Sequence, residues 1–248
     1  MDFQQNAAET TCHSRDGNSN QADRRNDKSY ALAVVPYDED KLSPFHLAER
    51  RFRLAGRELV IRQSWRELGV AAVVWDAAVV LGEYLESEVS LTDQTVIELG
   101  AGTGLTGMVA ALQGAKVTIT EREIALASLR SNVETNIPPG TTRHPVVIQE
   151  LTWGQNLHHY PTSFHYVLGA DIIYLKKTFQ DLLKTLVHLS NCETVVLLGC
   201  KIRYERDTNF LKMLEEKFEV KEVHYDQRRD IRVYKAGSDM YWRNERNK

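Results

Sequence analysis

From Thr92 onward the chain alternates short apolar runs with longer amphipathic ones, in the rhythm of strands and helices. Thr95-Val-Ile-Glu-Leu99, Lys116-Val-Thr-Ile-Thr120, Val146-Val-Ile148, His165-Tyr-Val-Leu-Gly169 and Thr194-Val-Val-Leu-Leu198 are too short for helices and predict strands. Between and after them, Leu105–Gln113, Glu123–Asn136, Thr178–Ser190 and Asn209–Phe218 predict helices, the second stopped by Pro138-Pro139. Strands separated by helices must be joined by crossovers, so the sheet is expected to be mostly parallel with helices on both faces. Val220–Tyr225 and Asp230–Tyr234 have only Asp226–Arg229 between them, too short for a crossover, so this closing pair must be antiparallel.

Ahead of the alternation, Arg51–Ala55 and Glu58–Arg62 flank Gly56-Arg57 and predict a β-hairpin. Gly69–Glu86 is apolar all round, with Trp75, Leu81 and Leu85, and predicts one largely buried helix. The expected architecture is α/β: a seven-stranded Rossmann-like sheet, mostly parallel with an antiparallel last strand, preceded by an N-terminal β-hairpin. Residues 1–30 carry almost nothing to bury and predict a disordered tail. Residues 31–240 form one domain, with the hairpin and helix in 51–87 and the Rossmann-like core in 92–236, and 237–248 form a polar tail.

Composition narrows the class. A chain of 248 residues can bury one sizeable core, and a formal charge of -3 gives no broad positive field for a phosphate backbone. A nucleic-acid partner is therefore not expected. Cys12, Cys192 and Cys200 are odd in number and lack paired spacing, which suits reduced thiols in an intracellular compartment. No apolar stretch follows Met1 as a secretory signal would, and the run Val70–Leu81 is interrupted by Asp76 and too short for a bilayer. A cytoplasmic, and also nuclear, monomer is the expectation, with no membrane contact. His158-His159 has no further ligands nearby in sequence, so no metal site is expected.

The candidate chemistry lies where the first core strand ends. Gly100-Ala101-Gly102-Thr103-Gly104 leads directly into a helix, and glycines there let the backbone turn tightly and approach a ligand. Gly102-Thr-Gly104-Leu-Thr-Gly107 also satisfies the dinucleotide fingerprint, and Glu121 at the second strand end suits the ribose hydroxyls of either cofactor. Three features favour S-adenosylmethionine over a nicotinamide cofactor. Glu98 sits inside the apolar strand, where an acid is costly unless it bonds to the glycine loop or a ligand. The apolar strand stops at Gly100, whereas the dinucleotide fingerprint would begin at Gly102. The closing strand pair completes the chain and leaves no second domain for a hydride acceptor.

Four segments then carry a resemblance. Val73-Val-Trp75-Asp76-Ala, Glu98-Leu-Gly-Ala-Gly-Thr-Gly104, Glu150-Leu-Thr-Trp153-Gly154 and Gly169-Ala-Asp171-Ile-Ile-Tyr174 fall in the order and spacing of the methyltransferase-like 21 family. These are seven-strand, class I protein-lysine methyltransferases, and the resemblance spans about Ala31 to Ala236. It implies that Gly100, Ala101, Gly102 and Gly104 pass beneath the amino-acid end of S-adenosylmethionine, with Glu98 beside them. It further implies that Glu121 binds the ribose, that Trp75 and Trp153 flank the cofactor, and that Ala170 gives a backbone contact. Asp171 and Tyr174 match the family's DxxY motif beside the reactive methyl and are the catalytic candidates; S-adenosylhomocysteine is the product.

Ile202-Arg-Tyr-Glu-Arg-Asp207 resembles most the member that methylates a lysine of 70-kDa heat-shock chaperones, which are thus the expected protein partner. Another protein substrate (an ATPase or an elongation factor) and a non-catalytic cofactor- or chaperone-binding module stay open as alternatives. Read without the resemblance, Trp75 suits core packing as well as a cofactor wall, and Tyr174 suits a core rim as well as a site.

Overall fold

The computed structural model describes residues 44–238; the expected N-terminal tail, residues 31–43 of the expected domain and residues 239–248 lie outside them, while Gly237 of the expected polar tail closes the last strand. Strands β1 (Glu49–Leu54) and β2 (Arg57–Arg62) form the antiparallel hairpin, with Arg53 opposite Glu58 and Leu54 opposite Arg57. The expected single helix over Gly69–Glu86 is broken. A helical turn over Trp65–Leu68 and a 3-10 turn over Gly69–Ala72 come first, and α1 runs only from Asp76 to Glu88. Trp75 is the residue before α1, with extended backbone, so it does not ride on a helix as the apolar run suggested. Periodicity cannot see this break, because the run Val70–Val74 is apolar whether wound or extended.

The core follows as β3 (Thr95–Leu99), α2 (Leu105–Leu112), β4 (Lys116–Glu121), α3 (Glu123–Asn136), β5 (Val147–Glu150), β6 (Tyr166–Ala170), α4 (Phe179–Leu189) and β7 (Val195–Cys200). It closes with α5 (Glu205–Glu215), β8 (Glu219–Asp226) and β9 (Ile231–Gly237). The sheet order is β5-β4-β3-β6-β7-β9-β8. All pairs from β5 to β7 are parallel, and β9 runs antiparallel to both β7 and β8. β9, the last strand along the chain, is thus the antiparallel one, as the short connection required.

The wholly apolar strands are explained by burial on both faces. Val96, Leu168, Val195 and Leu197 turn toward a core built with the hairpin, α1, α2 and α3. Their neighbours Ile97, Val167, Val196 and Leu198 turn toward a second core with Phe179 and Leu186 of α4 and Phe210 and Leu214 of α5. Each fully buried leucine or isoleucine of these layers contributes roughly 1.5–3 kcal/mol. No single helix among the described residues is long and apolar enough to cross a membrane; the bent pair Trp65–Ala72 and Asp76–Glu88 reaches that length and composition only together, across a 45° bend.

The hairpin is joined to the core through two asparagines of α3. Asn132 Oδ1 accepts the Arg62 N–H (2.9 Å) and its Nδ2 donates to the Arg62 carbonyl (3.1 Å). Asn136 repeats the pattern on Val60, at 2.7 and 2.9 Å. The side-chain amides thereby take the place of a missing neighbouring strand along β2. Asn132→Ala strands the Arg62 N–H and carbonyl, an expected loss of about 2 kcal/mol. In a domain of this size that is a Tm lower by about 4–8 °C, to be read by calorimetry.

Candidate active site

Strand β3 is flanked by β4 and β6, so the strand order reverses at its carboxyl end and leaves a crevice there. The glycine turn leaves β3 at this point. Gly100, Gly102 and Gly104 have φ of +58°, +55° and +82°, a region open to glycine and strained for other residues. A β-carbon on Gly100 would also lie 3.0 Å from Trp153 Cζ2 and 3.1 Å from Ile172 Cγ2. The half-buried Trp153, in the loop after β5, therefore stands directly against the turn.

Two buried carboxyl groups, those of Glu121 and Glu98, brace the turn and the helix that follows it. Glu121, the last residue of β4, accepts the Gly102 N–H at Oε2 (2.9 Å) and the Arg122 N–H at Oε1 (2.8 Å). Glu98 accepts the N–H of Gly107, in the first turn of α2, at Oε2 (2.9 Å). A β-carbon on Gly107 would come within 2.5 Å of that same oxygen, so the bond needs glycine there. Thr120 adds a hydroxyl bond to the Glu98 carbonyl at 2.6 Å, and the Ala101 N–H donates to the Thr120 carbonyl at 3.0 Å. Glu98 thus bonds to the first turn of the helix that follows the loop, and not to residues 100–104, where the sequence led one to expect its partner. With 2% of its surface exposed, it supports the turn from beneath.

Burial pushes the Glu98 carboxyl up to about 8; the Gly107 N–H and the Thr106 hydroxyl oppose the rise and the Glu121 charge adds to it. Its proton is therefore held at neutral pH.

Ala170 ends β6 opposite Gly199, and Asp171 follows with φ +53°. The Asp171 N–H donates to the Gly199 carbonyl (2.8 Å), which fixes its backbone to β7. Its carboxylate receives a two-pronged bond from Arg203: Nη1 to Oδ1 at 2.9 Å and Nη2 to Oδ2 at 2.8 Å. The Arg203 guanidinium carbon lies 5.9 Å from the centroid of the Trp75 ring. Trp75 itself donates from Nε1 to the Val70 carbonyl (3.0 Å) and packs 4.9 Å, centroid to centroid, from Phe45. Tyr174 is half-buried, and burial raises its hydroxyl pKa, with Arg122 opposing and Glu121 and Asp171 reinforcing. It therefore lies within electrostatic reach of both the β4 end and the β6 end.

The structure brings the glycine turn, Glu98, Glu121, Trp153, Ala170, Asp171 and Tyr174 to one end of the sheet, and links Trp75 to them through Arg203. Sequence reasoning missed Arg203 and Asp207, whose carboxylate accepts the N–H groups of Arg203 (2.9 Å) and Tyr204 (3.0 Å) at the start of α5. The available signal was Asp171 itself, since an acid closing a buried strand needs a counter-charge from a neighbouring strand end.

Residues 53–217 match the lysine methyltransferase family. Protein N-lysine methyltransferase METTL21A of Mus musculus is 56% identical over 210 residues, covering 83% of this chain and 96% of that protein. EEF1A lysine methyltransferase 3 of Mus musculus is 40% identical over 208 residues, covering 82% and 88%. Among solved structures, the T. thermophilus 16S rRNA N2 G1207 methyltransferase (RsmC) in complex with AdoMet and guanosine has a TM-score of 0.59 at 18% identity, over 77% of this chain and 50% of that one. The magnesium protoporphyrin IX methyltransferase (ChlM) of Synechocystis with bound SAM has a TM-score of 0.51 at 16% identity, over 66% and 78%. At such identities the structural likeness is one of fold.

The held proton of Glu98 gives a test of this geometry. An unfolded glutamate releases its proton near ~4.3, the folded one near 8, so this group's contribution to stability is whole below the first value and declines as pH rises toward the second. Glu98→Gln, which imitates the protonated acid, lacks the decline. Its Tm relative to the unaltered protein is expected to improve between about pH 5 and about pH 8.5. Parallel Tm curves for the two proteins would refute the assignment.

Proposed function

The chain belongs to the lysine methyltransferase family, and from that premise we propose that it transfers a methyl group from S-adenosylmethionine to a lysine of a folded protein, a 70-kDa heat-shock chaperone. The observation that carries the reading is the joint placement of Glu121 beside the glycine turn and of the Asp171–Tyr174 strand end on the same crevice.

The residues fit the cofactor. Glu121 spends one lone pair of each oxygen on a backbone N–H and keeps others for a pair of ribose hydroxyls. Trp153 offers an aromatic wall at Gly100, on the side where the adenine is expected, and Trp75 stands beside Arg203. Gly100, Ala101, Gly102 and Gly104 would run beneath the amino-acid end, carried on Glu98, with Ala170 contributing backbone. When bound, S-adenosylmethionine supplies a methyl on a sulfonium, whose C–S electron pair returns to sulfur as the lysine nitrogen forms the new bond.

The chain's own task is alignment and a neutral amine. Free lysine has a pKa near ~10.4, so the site must favour the unprotonated form. Alignment can supply roughly 7–11 kcal/mol of barrier lowering, more than a single proton transfer contributes. Asp171 and Tyr174 are accordingly assigned to receiving and orienting the amine.

The chaperone is supported by the likeness of Ile202–Asp207 to the family member acting on such proteins. An elongation factor is the second reading, because a relative 40% identical to this chain is named for EEF1A. Incubation with labelled S-adenosylmethionine and each purified protein separates them. Label on a chaperone lysine, abolished by Asp171→Ala, is expected; label on the elongation factor alone would transfer the assignment there.

Glu121→Gln keeps the size of the side chain but removes its charge and one of the two oxygens that accept the Gly102 and Arg122 N–H groups. The Kd for S-adenosylhomocysteine is expected to rise about tenfold by titration calorimetry, which corresponds to about 1.4 kcal/mol.

A further inference from the structure

Three separate segments meet at the Arg203 guanidinium. Its two terminal nitrogens grip both oxygens of Asp171, at the end of β6, and its face lies near the Trp75 ring, which precedes α1. Its own backbone, after β7, is tied down by Asp207, a carboxylate only 2% exposed. The Asp171 side chain is 6% exposed and that of Arg203 28%, so the acid is the more deeply placed of the two.

Stability alone does not account for such a pair. Withdrawing two charges from water offsets most of what their attraction returns, and apolar side chains of equal volume serve a fold as well. Asp171 also takes a left-handed backbone conformation that is uncommon outside glycine.

We propose that Arg203 is a positioning residue of methyl transfer: it clamps Asp171 and cancels its charge, so that the substrate lysine is received as an amine and not held as an ammonium ion. The inference rests on the role given to Asp171 above. A bare carboxylate beside the lysine nitrogen would favour its charged form, which has no lone pair to attack with, and an adjoining guanidinium acts in the opposite sense. The planar fork satisfies both Asp171 oxygens at once, which a lysine side chain at this position cannot do. Burial works against the Arg203 charge, but its bonds to Asp171 and the charges of Asp171 and Asp207 outweigh that, and the guanidinium stays protonated. The other groups in reach are Cys200 at the end of β7, Arg232 on β9, Tyr174 after β6 and, around Tyr174, Glu121 and Arg122 at the end of β4. None of these forms the two-pronged bond to Asp171.

The test compares the full-length protein with Arg203→Ala and Arg203→Lys, using labelled S-adenosylmethionine and purified 70-kDa chaperone across a pH series. With Arg203→Ala, kcat is expected to fall about 100-fold, the scale of a misplaced reacting group. The acid limb of its kcat profile should move up by about one pH unit, because the amine gives up its proton less readily. The Kd for S-adenosylhomocysteine should be unchanged. Arg203→Lys restores the positive charge without the fork, so its acid limb should return while kcat recovers only in part. Unaltered kcat and pH profile in Arg203→Ala would overturn the inference, as would a lowered KM at constant kcat, which would make Arg203 a competitor for the amine's place. Equal losses in both variants with an unmoved acid limb would assign a structural role and also overturn it. No transfer by the unaltered protein, to either the chaperone or the elongation factor, would sink the proposed function and this inference with it; transfer by it alongside any of the preceding outcomes sinks this inference alone.

Discussion

Between Leu99 and Leu105 the backbone must leave the sheet, reverse and enter a helix within five residues; the Ala101 N–H goes to the Thr120 carbonyl and that of Gly104 to the Ala101 carbonyl, but those of Gly102 and of Gly107, in the first turn of α2, are left to side chains. Glu121 and Glu98 resolve this from opposite sides, one bonded to Gly102 and the other to Gly107. Each acid sits on a different strand, so the turn is held only when β3 and β4 are paired in register, with Glu98 opposite Ile119. The shape of the crevice therefore depends on sheet pairing, and the remaining site residues are arranged around a turn that the sheet has already fixed.

The two carboxylates differ in what else they can do. Glu98 is sealed beneath the loop and keeps its proton, a neutral hydrogen-bonding strut. Glu121 lies at the strand end and bonds the turn itself through the Gly102 N–H. Residue type alone would give the pair one role; depth in the sheet separates them.

On the other side of β3 the same logic recurs with charge in place of backbone. Asp171 directly follows β6 where Glu121 ends β4, but its partner is a guanidinium from beyond β7. Tyr174 stands within electrostatic reach of both acids. The hairpin, held by Asn132 and Asn136, lies against α3, whose Leu129 and Val133 reach the core under Gly104. Loosening α3 would thus be felt at the turn as well as at the hairpin.

Composition and local pattern by themselves determined the strand and helix order, the antiparallel closure and the position of the glycine turn. These follow from the length of the apolar runs, from glycine and proline chemistry and from connection length, all of them short-range properties of the chain. The motif spacing likewise brought Glu121, Asp171 and Tyr174 to strand ends, because parallel strands with crossovers gather those ends on one side. Only the tertiary structure decided that the apolar run around Trp75 breaks before α1, since an apolar segment satisfies burial equally well wound or extended. It alone turned Glu98 to the start of α2, and joined Asp171 to Arg203, 32 positions away along the chain. Partnerships of that kind are set by which strand ends become neighbours in the sheet, a long-range fact that no local pattern carries.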